Sequence, residues 1–408
     1  MTGTERVESA IIGGGPAGAV LAARLAAAGR EVVVLERAPR WRWRASGVFA
    51  SPAAVAALGQ SGLNESVLRT VARPIPAMRV ETPAGTSFRL TYGADLGGPP
   101  AVGFDRSRLD PALLDMARSN GADVRVGVTV VDADLSSGNL TIRPHGGATR
   151  RLLASVVVGA DGLRSTVARA AGVARPVWLG PRVGLTYHLE DPDEATARDA
   201  RMRVIRDGYV GVAPVPGNRV NVGIVLGASW RPALARDGAD AVTRSIVERI
   251  PPSAEDAGTW RFGRHCDAVE GAWPLGHRVT RRAGSGGAGR GWLLVGDAAG
   301  FLDPFTGEGL HRALVSAGLA ARAILAEGAH RRRAFGAYER AMHRRFLAKD
   351  AVSWLVQGFL AHPSWFEYAA RRTADRAAVR ATMGLVMGDL VPAGRALDPR
   401  YLAALLAP

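Results

Sequence analysis

Residues 7–36 read VESAIIGGGPAGAVLAARLAAAGREVVVLE. The apolar run Val7 to Ile12 reads as a short buried strand that stops at three glycines and a proline. An Ala/Leu-rich helix follows to about Ala28, Gly29 closes it, and Glu31 to Leu35 forms a second buried strand ending at Glu36. In this βαβ unit Gly13-x-Gly15-x-x-Gly18 has a mechanical meaning. The first glycine makes a tight turn, the second lets a pyrophosphate approach the backbone, and the third packs helix on strand. Pro16 and Ala17 open a helix whose positive end suits phosphate. Glu36, with Arg37 after it, stands where a carboxylate accepts hydrogen bonds from ribose hydroxyls, which disfavours NADP at this site. A bound dinucleotide is the expectation.

A second informative stretch is residues 291–318, GWLLVGDAAGFLDPFTGEGLHRALVSAG. Trp292 to Val295 reads as a buried strand that ends at Gly296-Asp297, so Asp297 stands at a strand's carboxyl end, where open α/β sheets bind ligands. A loop with Pro304, Gly307 and Gly309 feeds a helix from about Leu310. Those glycines allow close backbone approach, and the helix aims its positive end at the same place. Glu308 and His311 flank the helix start and are acid or base candidates; the plain alternatives are capping for Glu308 and a solvated position for His311.

Between these stations the pattern changes repeatedly. Helices are expected from Pro52 to about Leu58 and from Leu109 to Asn120, and a hairpin from Met78 to Tyr92 around Pro83-Ala84-Gly85. Val124 to Val130 reads as one strand, and residues 151–158 as an apolar strand leading into Gly159-Ala160-Asp161-Gly162. Val183 to Leu226 is all-β, with Gly217-Asn218 turning Tyr209–Val215 onto Arg219–Leu226. Gly284 to Gly291 reads as a surface loop. The expected fold class is α/β, α+β overall: a discontinuous Rossmann-like nucleotide-binding domain (1–75, 101–180, 280–330), a β-rich substrate domain (76–100, 181–279) and a helical C-terminal region (331–408).

Composition narrows the function. The chain has 408 residues, 47% hydrophobic and 22% charged, which is ordinary for a protein with a real core. The net charge of +15 comes from arginine, since Lys349 is the only lysine, and the arginines are scattered except for Arg331-Arg332-Arg333. Nucleic-acid binding is therefore not expected. One cysteine, Cys266, allows no intrachain disulfide and suggests no metal site. No run long enough for a transmembrane helix and no signal-peptide pattern is visible, so a cytoplasmic protein is expected, monomer or homodimer, with peripheral membrane contact left open.

With these motifs in this order, the sequence resembles the flavoprotein superfamily of aromatic hydroxylases (group A flavoprotein monooxygenases), and within it the geranylgeranyl reductase-like branch. The resemblance implies an FAD-binding domain of the glutathione-reductase/p-hydroxybenzoate-hydroxylase type with an inserted antiparallel sheet and a helical tail. It makes Gly13 to Gly18 and Glu36 the ADP-binding motif, and Arg106 in FDRSRLD the arginine reaching the FAD phosphate region. Asp161-Gly162 resembles the family's Asp-Gly motif, and Gly296-Asp297 the ribityl station. Pro304 to Leu310 resembles the loop whose amides face the flavin's pyrimidine edge. Arg44 to Pro52 resembles the branch's Cys-Gly-Gly-x-Leu-Ser-Pro segment with Ser46 at the cysteine. Tyr209 to Pro214 resembles its Tyr-x-Trp-x-Phe-Pro segment with Gly211 at the tryptophan, which would enlarge the cavity. Arg42 and Arg44, between Trp41 and Trp43, are further pyrophosphate candidates.

The implied function is an FAD-dependent oxidoreductase acting on a hydrophobic prenylated or polyketide-like small molecule, by double-bond reduction. The alternatives are an NAD(P)H- and O2-dependent monooxygenase and a non-catalytic flavin-binding scaffold. No second βαβ glycine fingerprint appears, so NAD(P)H would visit transiently or a separate reductase would deliver electrons. Halogenation is disfavoured, because the halogenases' lysine and Trp-x-Trp-x-Ile-Pro have no counterpart in place.

Overall fold

A computed structural model describes residues 4–41, 47–93, 98, 100–178, 180–191, 197–249, 266–287, 289–326 and 331–407. The apolar runs that read as buried strands assemble side by side. Strands Gly291–Leu294, Arg150–Gly159, Glu5–Ile12, Val32–Glu36 and Asp123–Val126 pair in that order, all parallel. Their near-continuous Val/Ile/Leu composition is what burial on both faces requires. Helices Pro16–Ala27, Arg106–Ser119 and Gly309–Leu325 pack with this sheet in a single core.

Two local readings are corrected here. Val124 to Val130 is two strands, Asp123–Val126 and Val128–Asp134, because Gly127 turns the chain at φ +72°. The second piece leaves the parallel sheet and pairs antiparallel with Asn139–Pro144, which returns to Arg150–Gly159. Gly284 and Ser285 are also not loop: Ala283–Ser285 pairs antiparallel with Gly291–Leu294 as an edge hairpin.

The second sheet has seven strands, in the order Glu270–Ala272, Val183–Glu190, Arg219–Leu226, Gly208–Val215, Ala200–Ile205, Met78–Glu81 and Ser87–Leu90. The hairpin from Met78 joins by parallel pairing with Ala200–Ile205. Period-two alternation sorts its two faces. Along Gly208–Val215, Val210 and Val212 pack with Val242 and Ile246 of helix Arg231–Glu248, an element with no counterpart among the expectations. Tyr209, Ala213 and Val215 face the other way, toward the C-terminal helices. Those helices are Arg331–Ala361, Pro363–Asp375, Ala377–Met387 and Pro399–Leu406.

Strand Ala101–Phe104, which pairs with Phe49–Ala50 and Ala72–Ile75 in a small third sheet, lies against Gly208–Val215, and a Cβ on Gly103 would overlap the Pro214 carbonyl oxygen. Gly103→Ala should therefore cost about 3 kcal/mol by overpacking backbone against backbone. Gly358, a glycine inside helix Arg331–Ala361 with nothing within 4 Å of its would-be Cβ, supplies the contrast. There Gly358→Ala should stabilise by about 0.5–1 kcal/mol. Denaturation midpoints of the two variants moving in the same direction would contradict this packing.

Candidate functional site

Three strand ends converge. The amide of Ala160 donates to the Ile12 carbonyl (2.8 Å) and that of Val295 to the Gly159 carbonyl (2.9 Å), so Gly13–Gly18, Ala160–Gly162 and Gly296–Asp297 emerge side by side. The three glycines of the first motif do different work. Gly13 has φ +105° and lies against Ala160, and a Cβ on Gly18 would overlap the Gly13 carbonyl oxygen. At Gly15 a Cβ would meet nothing within 4 Å. Two glycines are required by packing, then, and the middle one faces open space, as close approach by a ligand demands. Helix Pro16–Ala27 has no acid in its first turn, so its positive end is not neutralised. Gly296 would bring a Cβ to 3.0 Å from the Ala17 Cβ, which joins the first glycine motif to the Asp297 turn.

The acids around this junction are placed differently. Glu36 is buried and accepts from the Gly14 amide (2.9 Å) and the Ala38 amide (2.8 Å), fixing its carboxylate beside the glycine turn; Arg37 is exposed next to it. Asp161 accepts from the Thr166 amide through Oδ2 (2.6 Å), while its buried Oδ1 has no partner. Burial pushes the Asp161 carboxyl above its usual range, against the hydroxyl of Ser165 and the Thr166 amide. Gly162, at φ +75°, has nothing within 4 Å of a would-be Cβ. Asp297 makes no side-chain hydrogen bond among the described residues. Burial pushes its carboxyl up to about 6, with Arg106 and Arg312 pulling the other way.

Arg106 approaches this region but is already engaged. Its Nε and Nη2 donate to Asp110 (2.7 and 2.9 Å), and Nη1 to the Gly47 carbonyl (2.9 Å). Arg42, Arg44 and Ser46 lie outside the described residues.

At the loop end, Gly307 has φ +66° and a Cβ there would stand 2.6 Å from the Phe49 ring. Pro304 lies in the preceding 3-10 turn Pro304–Thr306, and Gly309 and Leu310 begin helix Gly309–Leu325, again with no acid in its first turn. Glu308 does not cap this helix: its carboxylate accepts from Ser353 Oγ (3.2 Å) and stands 3.8 Å from Lys349 Nζ. His311 is not solvated either. It is buried, with Nδ1 3.0 Å from Asp389. Asp389 also takes Lys349 Nζ at 2.9 Å and the Ser51 hydroxyl at 3.1 Å. Burial alone would raise the Asp389 carboxyl, but His311 and Lys349 outweigh it and hold it at about 2. Both acid–base candidates thus belong to a buried ionic cluster.

An apolar cavity of about 140 Å³ lies between the second sheet and the C-terminal helices. Val80 and Met202 line it from the sheet, Phe305 and Gly307 from the loop, and Phe359 and Tyr401 from the helices. Tyr209, Gly211 and Pro214 are not among its described lining residues. Met202 fills the place beside Gly211, its Cε 3.4 Å from a would-be Cβ. Phe305 stands edge-on over Tyr209 at 5.0 Å, and Pro214 is packed on Gly103.

Two groups went unread in the sequence. The Asp303 carboxylate accepts from Tyr209 Oη (2.6 Å), Arg182 (2.8 Å) and the Phe305 amide (3.0 Å), and Arg182 donates on to Gln357 (2.6 Å). This hub ties the glycine loop to the sheet and to helix Arg331–Ala361. His277 donates through Nε2 to the Asp297 main-chain carbonyl and pairs its backbone with Phe301, so it braces the Asp297 turn. Burial holds His277 below the usual imidazole range. An Asp-Pro turn was the available signal for Asp303; His277 had none. Among the described residues there is no metal-ligating cluster and no helix long and apolar enough to cross a membrane.

Comparison with known proteins agrees with this geometry. Residues 6–349 match the model of the FAD binding domain. The menaquinone reductase of Mycolicibacterium smegmatis is 30% identical over 346 residues, 79% of this chain and 77% of that protein. The digeranylgeranylglycerophospholipid reductase of Methanoculleus marisnigri is 29% identical over 325 residues, 76% of this chain and 75% of that protein. A solved geranylgeranyl bacteriochlorophyll reductase-like protein from Thermoplasma acidophilum shares the fold, with a TM-score of 0.78 at 21% identity over 99% of each chain. The chain belongs to the FAD binding domain family of flavoproteins.

Proposed function

We propose that this FAD-dependent oxidoreductase reduces a carbon–carbon double bond of a hydrophobic small molecule of prenylated or polyketide-like type. The carrying observation is the apolar cavity lined in part by the same loop, residues 304–307, that leads into helix Gly309–Leu325, whose first turn carries no acid. The names of the two relatives, reductases of a quinone and of a prenylated lipid, support that substrate class.

In this reading the segments 1–75, 101–180 and 280–330 hold the cofactor. Gly13, Gly15, Pro16, Ala17 and Gly18 take the pyrophosphate on backbone and helix end, and Glu36 takes a ribose. The free Asp297 carboxylate, the unpartnered Asp161 Oδ1 beside Gly162, and the space at Gly15 are what a polyhydroxylated dinucleotide fits. FAD, when bound, supplies the two-electron chemistry. The chain's own residues position and shield. The amides at Gly307, Gly309 and Leu310 steady negative charge with the helix end behind them. Arg106 lends positive charge toward Asp297. Segments 76–100 and 181–279, closed by the C-terminal helices, exclude water from the substrate. Glu308 and His311 hold the loop's far side through Ser353 and Asp389. Electrons arrive from NAD(P)H as a transient visitor or from a separate reductase.

The reaction type is tested by turnover of a polyprenyl substrate without oxygen, using NADPH or dithionite as reductant. A product heavier by two hydrogens is expected; a product that forms only with oxygen would replace reduction by hydroxylation or epoxidation.

The cofactor site has a pH signature. Ribityl hydroxyls donate to the ionised Asp297, so binding favours the carboxylate and lowers its pKa from about 6. FAD affinity should thus be full above that pH and fall below it, by roughly tenfold from pH 7 to pH 5. Asp297→Asn should bind more weakly at pH 7 and lose this dependence. Equal pH slopes for both proteins in a fluorescence titration would refute the placement.

A further inference from the structure

Helix Arg331–Ala361 helps to wall the cavity with one side and shows another to solvent. Helical spacing puts Arg344, Leu347, Ala351, Trp354, Leu355 and Gly358 in one strip along that second side. All are exposed except Trp354, which is half-buried with Trp178 against it, ring centroids 5.8 Å apart. Leu347 is 55% and Trp178 75% exposed. Scattered singly, such side chains would need no explanation, but joined in one strip they mark a contact surface. Leu355 also lines the cavity, so a single side chain, 37% exposed, borders both the cavity and the solvent.

The charges around this strip favour one sign. No Asp, Glu, Lys or Arg occurs from 351 to 366. The two acids that flank that run are spent, Asp350 on Arg312, and Glu367 on Thr82, Thr86 and Arg371. Cations stand at the edges: Arg278 stacks on Trp178 at 4.5 Å, and Arg345 on Phe346 at 5.7 Å. Arg344 is exposed on the strip itself. Exposed tryptophan and leucine rimmed by arginine suit the headgroup layer of a membrane, where apolar side chains enter the acyl boundary and guanidiniums meet phosphates.

We propose that this strip docks the protein on an anionic lipid bilayer, from which an apolar substrate passes into the cavity beside Leu355. The choice of a bilayer over a protein partner rests on the proposed function: the docking face borders the cavity, and a prenylated molecule dissolves in lipid, not in water. The contact is peripheral, because among the described residues no helix is long and apolar enough to cross a membrane.

The test uses the FAD-loaded protein and two kinds of vesicle, phosphatidylcholine alone and phosphatidylcholine mixed with phosphatidylglycerol, with binding read by flotation. The mixed vesicles should carry the protein, the neutral ones far less, and added salt should release it. Leu347→Ser should weaken binding roughly tenfold, and Arg344→Gln about fivefold. Both should keep nearly the wild-type thermal midpoint, because both side chains stand in solvent. Flotation of wild type with neither vesicle, or of both variants as well as wild type, would overturn the proposal. So would free protein that sediments as a dimer and is dissociated by Leu347→Ser, since the strip would then join two copies of the chain. Activity separates docking from chemistry. A short, water-soluble prenyl substrate should be reduced equally by wild type and Leu347→Ser, and a long one held in vesicles more slowly by the variant. Reduction of both substrates without vesicle binding would overturn the docking and leave the function standing. Vesicle binding with reduction of neither would remove the functional reading, and passage into the cavity with it.

Discussion

Everything where the parallel strands end depends on one close approach between backbones. Gly18 lacks the Cβ that would collide with the Gly13 carbonyl, and Gly13 in turn nestles against Ala160. The first helix can therefore sit directly on the carboxyl ends of Glu5–Ile12 and Arg150–Gly159. That seating carries the Asp161 turn to the glycine motif, while the contact of Ala17 with Gly296 brings in Asp297. Three segments more than a hundred residues apart in the chain become one rim, and acids, amides and helix ends face a common space. Interior packing tolerates little slack, so the rim is a rigid surface and not a set of independent loops.

The second sheet and the C-terminal helices are tied to that rim by polar contacts of a different character. Asp303 collects three donors, from the sheet, from its own turn and from Arg182, which reaches Gln357 on the long C-terminal helix. On the far side of the loop Asp389, Lys349 and His311 form a second knot, joined to Glu308. Buried ion pairs add little net stability, because desolvation offsets the attraction; their usual return is a unique geometry. Here they hold a glycine-rich loop from both sides where packing alone would leave it loosely specified.

The sequence made legible those features in which the backbone itself dictates the residue. Gly13 and Gly18 are glycine because a Cβ would collide with backbone, whereas Gly15 faces open space, and the structure separates the three by what each faces. Apolar runs announced the parallel strands, and Gly217-Asn218 announced its hairpin. What stayed hidden depends on partners distant in sequence. Asp303 meets Tyr209 across 94 positions, and His277 acts on a carbonyl, which leaves no trace in the pattern of side chains. Glu308 and His311 looked like helix-start residues because their partners come from far along the chain, Ser353 from helix Arg331–Ala361 and Asp389 from the turn after helix Ala377–Met387. The cavity wall was the least readable element. Amphipathic helices reveal that they cover something apolar, not which face of which sheet. Tyr209, Gly211 and Pro214, named from the resemblance, are not among the described lining residues of this cavity, whereas Met202, Phe305 and the helices are.

The burial of Lys349 changes the chemistry of the whole exterior. Apart from histidine, every other basic residue of the chain is arginine, and this single primary amine of a side chain is 4% exposed and bonded to Asp389 and the Val386 carbonyl. The folded surface therefore offers acylating reagents and amine-directed cross-linkers no lysine, and lysine-specific proteases no accessible site. Its positive charge resides in guanidinium groups, which do not titrate in any physiological range. Over that range the guanidinium charge outside stays constant, and carboxylates and histidines alone adjust the balance.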